Sequence, residues 1–127
     1  YAHHPSEIRQ SVLSMRELYK DKKITAIFQP HLYTRTRDFY RDFADSLSLL
    51  DEVILTDIYP AREEPIPGVS SQLIYNHLRP GIQKCLCKKE DILHLLKEKD
   101  IEVLITLGAG DIDNYAPAIK ELLETKE

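Results

Sequence analysis

Hydrophobic residues recur along the chain at spacings of three and four, which is the pattern of one buried helical face. The first such stripe lies before Lys20, and Pro5 suits the first turn of its helix. Its members are Ile8, Val12, Met15 and Tyr19. A second stripe starts from about Thr36 and contains Phe39, Phe43, Leu47 and Leu50. The pattern predicts two amphipathic helices in the first half of the chain.

Short apolar runs rich in β-branched residues alternate with these helices and predict buried strands. They lie at residues 24–28, 52–57, 83–87 and 101–107. Ser70 or Ser71 can cap a short helix, Asp91 opens another, and a last helix follows Gly108-Ala109-Gly110. The segment 58–69 contains three prolines and a glycine, so we expect a long irregular loop there.

Alternation of strands and helices favours right-handed βαβ units. The predicted fold class is therefore α/β: a Rossmann-like, mostly parallel sheet with helices on both faces, in three αβα layers. No repeat or linker divides the 127 residues, so we expect one domain, residues 1–127. Ligands of such sheets bind outside the carboxyl ends of the strands. The segments after Phe28, Asp57 and Leu107 are the places to look for a site.

Composition argues against several classes of function. The net charge of −4 comes from interspersed charges without a basic stripe, so nucleic acid is not an expected partner. The apolar runs are too short to span a bilayer, so we expect no membrane partner and a cytoplasmic location. Cys85 and Cys87 flank one residue and have no nearby ligand residues, which predicts reduced, packed thiols and no metal site.

The densest chemistry follows the first predicted strand, in the stretch QPHLYTRTR at residues 29–37. Arg35 and Arg37 offer planar donor forks to a carboxylate or phosphate, and Thr34 or Thr36 could cap the next helix. The N-terminus of that helix also favours an anion. These features together predict an anion-binding strand end.

A plainer interpretation of the same stretch is a solvated helix entry. Arg37 or Arg41 would then pair with Asp38 or Asp42 on the surface. The residues alone do not decide between the two interpretations, although Arg37 is the better surface candidate.

Other candidates carry weaker signals. His3 and His4 precede the first helix, where a histidine pair is more often a packed capping element than a ligand-binding one. Asp57 and Tyr59 leave the second strand directly and are better placed for a ligand than the later glutamates, Glu63 and Glu64. Those glutamates could fix Arg62, contact a substrate amine or be solvated, and solvation is the commonest fate of a charged loop.

Gly108 and Gly110 resemble a phosphate-cradling turn. A GxG without a third glycine is a weak motif, however, and is often only a tight strand-to-helix connection. Asp111 and Asp113 would also repel a phosphate there. No P-loop, nucleophile elbow or HExxH motif is present, so no catalytic residue is assigned.

Four stretches together resemble the C-terminal domain of the Mur ligases. They are YAHHPSEI at residues 1–8, FQPHLYTRTRDFYRDFADSL at 28–47, LTDIYPAREEPIPGVSS at 55–71 and LGAGDI at 107–112. The resemblance spans essentially the whole chain, in order. It is strongest to the branch of the family that adds L-alanine to UDP-N-acetylmuramate in bacterial peptidoglycan synthesis.

The resemblance implies an ATP-dependent ligase of three domains, of which this chain is the last. The UDP-sugar domain and the central ATPase domain would lie outside the chain. The muramoyl carboxylate would be phosphorylated to an acyl phosphate, which the amine of L-alanine attacks. ATP and magnesium would serve the full-length enzyme, with neither bound to this domain alone, and the isolated domain is predicted to be inactive.

The resemblance also implies roles for single residues. Arg35 would hold the carboxylate of alanine, with His3 at the amino-acid site, His31 near the substrate or acyl phosphate, and Tyr1 lining the alanine pocket. Leu32 departs from the family, which often has arginine there, so a clamp of two arginines is not expected.

Two other functions remain open on the sequence. One is a free-standing α/β binding module for a small carboxylate or phosphate. The other is a stand-alone phosphoryl-transfer enzyme, for which Asp57 is the candidate nucleophile or acid.

Overall fold

Helices and strands alternate along the chain, as the hydrophobic pattern predicts. The computed structural model describes residues 5–99 and 101–108, except for the side chain of Lys89. In chain order the elements are α1 (Pro5–Leu18), β1 (Ile24–Gln29), α2 (Tyr33–Leu47), β2 (Glu52–Leu55), α3 (Gln72–His77), β3 (Gln83–Leu86), a 3₁₀ turn (Lys89–Asp91), α4 (Ile92–Lys97) and β4 (Val103–Gly108).

The four strands form one parallel sheet in the order β3-β2-β1-β4. Strand β1 is central, and its Ala26 pairs with Val53 on one side and Ile105 on the other. Every residue of β1 is buried, which explains why its sequence is a continuous apolar run rather than an alternating one.

Helices cover both faces of the sheet. Apolar residues of α1, α2 and α3 pack on one face around Phe28 and Phe43, whose ring centroids lie 5.2 Å apart. On the other face, Ile92 and Leu96 of α4 pack against Ile27 and Ile54 of the central strands. The α/β class and its three layers are thus confirmed.

The boundaries of several elements differ from the predicted ones, most clearly in three cases. Helix α2 begins at Tyr33 rather than near Thr36, β2 ends at Leu55, and β4 begins at Val103. The apolar stripe of α2 starts only at Phe39, so the pattern held no signal for its polar first turn. The predicted last helix lies outside the described residues.

A buried charge marks the amino end of the sheet. Glu52 opens β2 and is only 3% exposed. It accepts a hydrogen bond from Lys99 at 2.5 Å, and Lys23 lies 3.3 Å from it. Burial alone would raise the pKa of Glu52, but the bonds and charges of the two lysines outweigh burial and lower it. This end of the sheet is therefore held by an ion-pair cluster.

The two cysteines are free thiols, as predicted, and both pack against the core on the α4 face. Burial raises the pKa of Cys87 to about 11, which leaves little reactive thiolate at neutral pH. None of the described helices is long and apolar enough to cross a bilayer.

Candidate functional site

The segments that follow β1 and β2 stay together beyond the sheet. Tyr59 donates its backbone N–H to the carbonyl of Pro30 at 2.8 Å, and Leu32 donates to the carbonyl of Tyr59 at 2.9 Å. These bonds form a parallel bridge between His31 and Tyr59. The stretch 29–37 and the loop 58–69 therefore meet at the carboxyl end of the sheet, where parallel α/β folds bind ligands.

Side chains from both segments meet at this bridge. The rings of His31 and Tyr59 stack with centroids 5.8 Å apart and planes inclined by 17°. The guanidinium Nη1 of Arg35 lies 3.2 Å from Nδ1 of His31. Because arginine has only donors, Nδ1 is the acceptor in this bond.

Arg35 follows His31 by four residues, and its side chain is half-buried. It forms no salt bridge with any residue that the structure describes. An arginine fork that is partly shielded, and that has no carboxylate partner among the described residues, is suited to a ligand carboxylate.

Arg37 differs from Arg35 in both exposure and pairing. It lies on the exposed face of α2 and forms an ion pair with Asp38 at 2.9 Å. Both side chains are about half exposed to solvent. The prediction that Arg37 is the surface residue of this pair of arginines is confirmed.

Leu32, between His31 and the helix, has an unusual backbone. Its φ of 75° and ψ of 138° lie in a region that only glycine adopts without strain. Its N–H is bonded to Tyr59, and its carbonyl accepts bonds from the N–H and the hydroxyl of Thr36. The strained turn redirects the chain from β1 into α2.

A carboxylate from the same protein caps α2. Glu63 accepts hydrogen bonds from the backbone N–H groups of Tyr33 and Thr34, at 2.6 and 3.2 Å, and from the Thr34 hydroxyl at 2.5 Å. The bond from that hydroxyl, with those from the two amides, lowers the pKa of Glu63. The helix N-terminus thus already carries an anion.

The prediction that Thr34 or Thr36 caps α2 is wrong. Both threonines lie inside the helix, because it begins at Tyr33. The residue at the N-cap position is Leu32, which has no side-chain oxygen with which to cap the first turn. Glu63 supplies the missing acceptor from 30 residues further along the chain.

The other predicted site residues are placed differently. Asp57 is exposed, and its carboxylate forms no hydrogen bond within the part of the chain described. Gly108 ends β4 and pairs with Gln29, next to the site. Tyr1, His3 and Gly110 lie outside the described residues. The structure thus brings His31, Arg35 and Tyr59 together.

Solvation is only the commonest fate of a loop glutamate, and the sequence assigns no definite role to Glu63. Only its position after the second strand pointed to this end of the sheet, and Glu64 shared that signal. The proline-rich loop folds back onto α2, with its far end anchored by the Ser71 hydroxyl, which donates to the carbonyl of Thr56. No local pattern indicates which loop glutamate reaches the helix.

Among residues 5–99 and 101–108, no cluster of His, Cys, Asp and Glu is arranged to hold a metal ion. The site offers a cationic fork, an imidazole and aromatic surface instead. The parallel sheet and this cationic strand end define the class of protein. It is an α/β domain whose loops at the carboxyl ends of the strands suit a small anionic ligand.

The chain belongs to the Mur ligase family: residues 1–112 match the family model described as Mur ligase, glutamate ligase domain. It is 79% identical over 126 residues to the UDP-N-acetylmuramate–L-alanine ligase of Phocaeicola vulgatus, and 60% identical over 123 residues to that of Parabacteroides distasonis. These matches cover 99% and 97% of the chain but only 28% and 26% of the two relatives. The resemblance found in the sequence is confirmed.

Solved structures share the fold. The crystal structure of the UDP-N-acetylmuramate-alanine ligase of Thermotoga maritima matches all of this chain with a TM-score of 0.76 and 26% identity, over 26% of its own length. A domain of a putative ligase from Haemophilus ducreyi matches 96% of this chain and 86% of its own, with a TM-score of 0.67 at 15% identity. The second likeness concerns the fold alone.

Proposed function

We propose that this chain is the C-terminal, amino-acid-binding domain of an ATP-dependent ligase that joins L-alanine to UDP-N-acetylmuramate in peptidoglycan synthesis. The names of the relatives support this assignment. The structural observation that carries it is Arg35, a half-buried guanidinium at the strand ends with no carboxylate partner among the described residues. Similarity along nearly the whole chain to one part of much longer ligases favours this function over a free-standing binding module.

In the proposed reaction, the muramoyl carboxylate is first phosphorylated to an acyl phosphate. The amine of L-alanine attacks the acyl carbon, an amide bond forms and inorganic phosphate leaves. The task of this domain is to hold the carboxylate of alanine so that the amine stays free and points to the acyl carbon. Correct placement of the two reactants accounts for a large part of the rate of such a reaction.

The residues at the strand ends suit this task. Arg35 would bind the alanine carboxylate through its two parallel N–H groups. His31 would hold the guanidinium from the side through Nδ1, and Tyr59 supports the imidazole ring. Tyr1 and His3 are proposed to complete the alanine pocket.

The remaining elements of the enzyme are proposed from the family. An N-terminal domain would bind the UDP-sugar and a central domain would bind ATP, with this domain closing over both. Magnesium would screen the phosphates of ATP, with its ligands on the other domains. The proposed location is the bacterial cytoplasm, where these substrates would be used.

The test of this proposal is Arg35→Ala in the full-length ligase. Loss of a charge-assisted bond of about 1.5–3 kcal/mol corresponds to roughly a ten- to hundredfold rise in KM for L-alanine. KM for ATP should change by less than about twofold, because uniform loss of one substrate's binding leaves the other substrate unaffected. Steady-state assays with each substrate varied in turn measure both constants.

Arg37→Ala is the matched control, since Arg37 is two residues away, exposed and already paired with Asp38. It should leave both constants near wild type. An equal rise in the two constants for Arg35→Ala, or an equal effect of the two arginine variants, would contradict the carboxylate role. The isolated domain should release no ADP with all three substrates present.

A further inference from the structure

We propose that Glu63 is a positioning residue for the amino-acid carboxylate site, which it serves by fixing the first turn of α2 and hence Arg35. The inference rests on the proposed function, because it assigns Arg35 a substrate. Glu63 itself is not proposed to touch alanine. It acts through the backbone of the turn that carries Arg35.

Glu63 attaches the loop 58–69 to α2. Both carboxylate oxygens of Glu63 bind the first turn of the helix. Oε1 accepts hydrogen bonds from two backbone amides, and Oε2 accepts one from the Thr34 hydroxyl. These three bonds join the loop to the residues immediately before Arg35. The neighbouring Glu64 is exposed and forms no such bond within the described part of the chain.

The loop 58–69 also holds the strained backbone of Leu32 in place. A non-glycine residue at this φ and ψ is held only where surrounding bonds over-determine its conformation. On one side Leu32 is bonded to Tyr59, and on the other the next two amides are bonded to Glu63. Both anchors belong to the loop 58–69. Without Glu63 the turn can relax, and the guanidinium of Arg35 moves relative to the sheet.

The Glu63 cap also affects where a substrate anion can bind. The first amides of a helix are otherwise a general anion site. In this protein a carboxylate of its own already fills that position and neutralises the helix end. A substrate carboxylate is therefore directed to the Arg35 fork, beside His31, rather than to the helix terminus.

The experiment uses the full-length ligase with Glu63→Ala, Glu63→Gln and the control Glu64→Ala. We expect Glu63→Ala to raise KM for L-alanine at least about tenfold, because small displacements of a binding group cost rates of this order. KM for ATP should stay within about twofold. Glu63→Gln keeps an oxygen acceptor for the amides and should show a smaller rise, and Glu64→Ala should match wild type.

A double-mutant cycle separates this inference from the proposed function. If Glu63 acts through Arg35, Glu63→Ala should add less than about twofold to KM for L-alanine in the Arg35→Ala background. A full additional tenfold rise there overturns the positioning role, as does an unchanged KM for L-alanine in Glu63→Ala. An unchanged KM in Arg35→Ala alone overturns the proposed function instead.

Folding of each variant is checked by thermal unfolding of the full-length enzyme. If Glu63→Ala does not fold, Glu63→Gln and Thr34→Val carry the test, since Thr34→Val removes only the hydroxyl bond to Glu63. Either of these should raise KM for L-alanine selectively. A proportional rise for ATP in both variants would indicate a general structural role and would refute the inference.

Discussion

Leu32 shows that a single residue can hold backbone strain that the sequence does not reveal. Nothing about a leucine between histidine and tyrosine predicts a positive φ, and the family comparison drew attention only to the side chain. In the structure the strain lies in the backbone of Leu32, where the chain turns from β1 into α2. Strain of this kind is typically about 1–3 kcal/mol and is concentrated at functional sites.

Replacing Leu32 by glycine and by alanine separates strain from side-chain loss. Both variants remove the leucine side chain, but only glycine relieves the positive φ. We expect Leu32→Gly to be more stable than Leu32→Ala by about 1 kcal/mol. Urea unfolding of the two variants measures the difference.

Leu13 provides the reference, because it is 43% exposed in the interior of α1. There the order should reverse, and glycine should be less stable than alanine by about 1 kcal/mol. The same order at both positions would show that Leu32 is not strained.

At the scale of elements, periodicity predicted which segments are helices and strands but not how they end. The apolar stripe of α2 and the buried run of β1 are local signals, so both elements were found. The first turn of α2 was missed because its cap, Glu63, comes from a distant loop. A cap supplied across 30 residues leaves no trace in the local sequence.

The end of β4 depends on a glycine for a reason of space. A Cβ at Gly108 would lie 2.1 Å from the carbonyl oxygen of Gln29, and φ there is 111°. The partner strand therefore approaches too closely for any side chain. This accounts for Gly108 without a phosphate.

Gly108→Ala should consequently destabilise the fold by at least about 2–3 kcal/mol, through backbone strain and displacement of β4 from β1. Gly81→Ala is the matched control, because Gly81 also has a positive φ but no atom within 4 Å of the added Cβ. It should cost only about 1 kcal/mol. Equal losses in thermal unfolding would mean that the close approach to Gln29 is not what requires glycine.

The whole molecule has two different sheet ends. At the carboxyl end lie Arg35 and the Glu63 cap, and at the amino end lies the buried carboxylate of Glu52 with its lysines. The sequence predicted the general location of the first, because parallel sheets place ligands there. It gave no indication of the second, since Glu52, Lys23 and Lys99 come together only when the sheet forms.

The amino-end cluster makes stability depend on pH. The pKa of Glu52 is lowered in the folded state, so its stabilising effect is fully present above the ordinary glutamate pKa of 4.5 and is lost as pH falls through the lower folded value. Glu52→Gln should cost about 1–2 kcal/mol at pH 7, an amount reduced by the partial exposure of both lysines.

The measurement is the free energy of unfolding of both proteins between pH 7 and about pH 3. The difference between them should be constant down to about pH 5 and should then shrink. A difference that grows on acidification would have the wrong sign for a lowered pKa. Glu17→Gln, a change at an exposed glutamate of α1, serves as the comparison.

The occupied terminus of α2 bears on the design of inhibitors. In many α/β enzymes a phosphonate or sulfonate gains affinity by docking on free helix amides. If this domain binds alanine as proposed, an alanine analogue with such a group would meet the carboxylate of Glu63 at the N-terminus of α2 and would be repelled. Planar carboxylate mimics that match one guanidinium fork are the chemotypes that this pocket should accept, and selectivity would come from their fit beside the His31 ring.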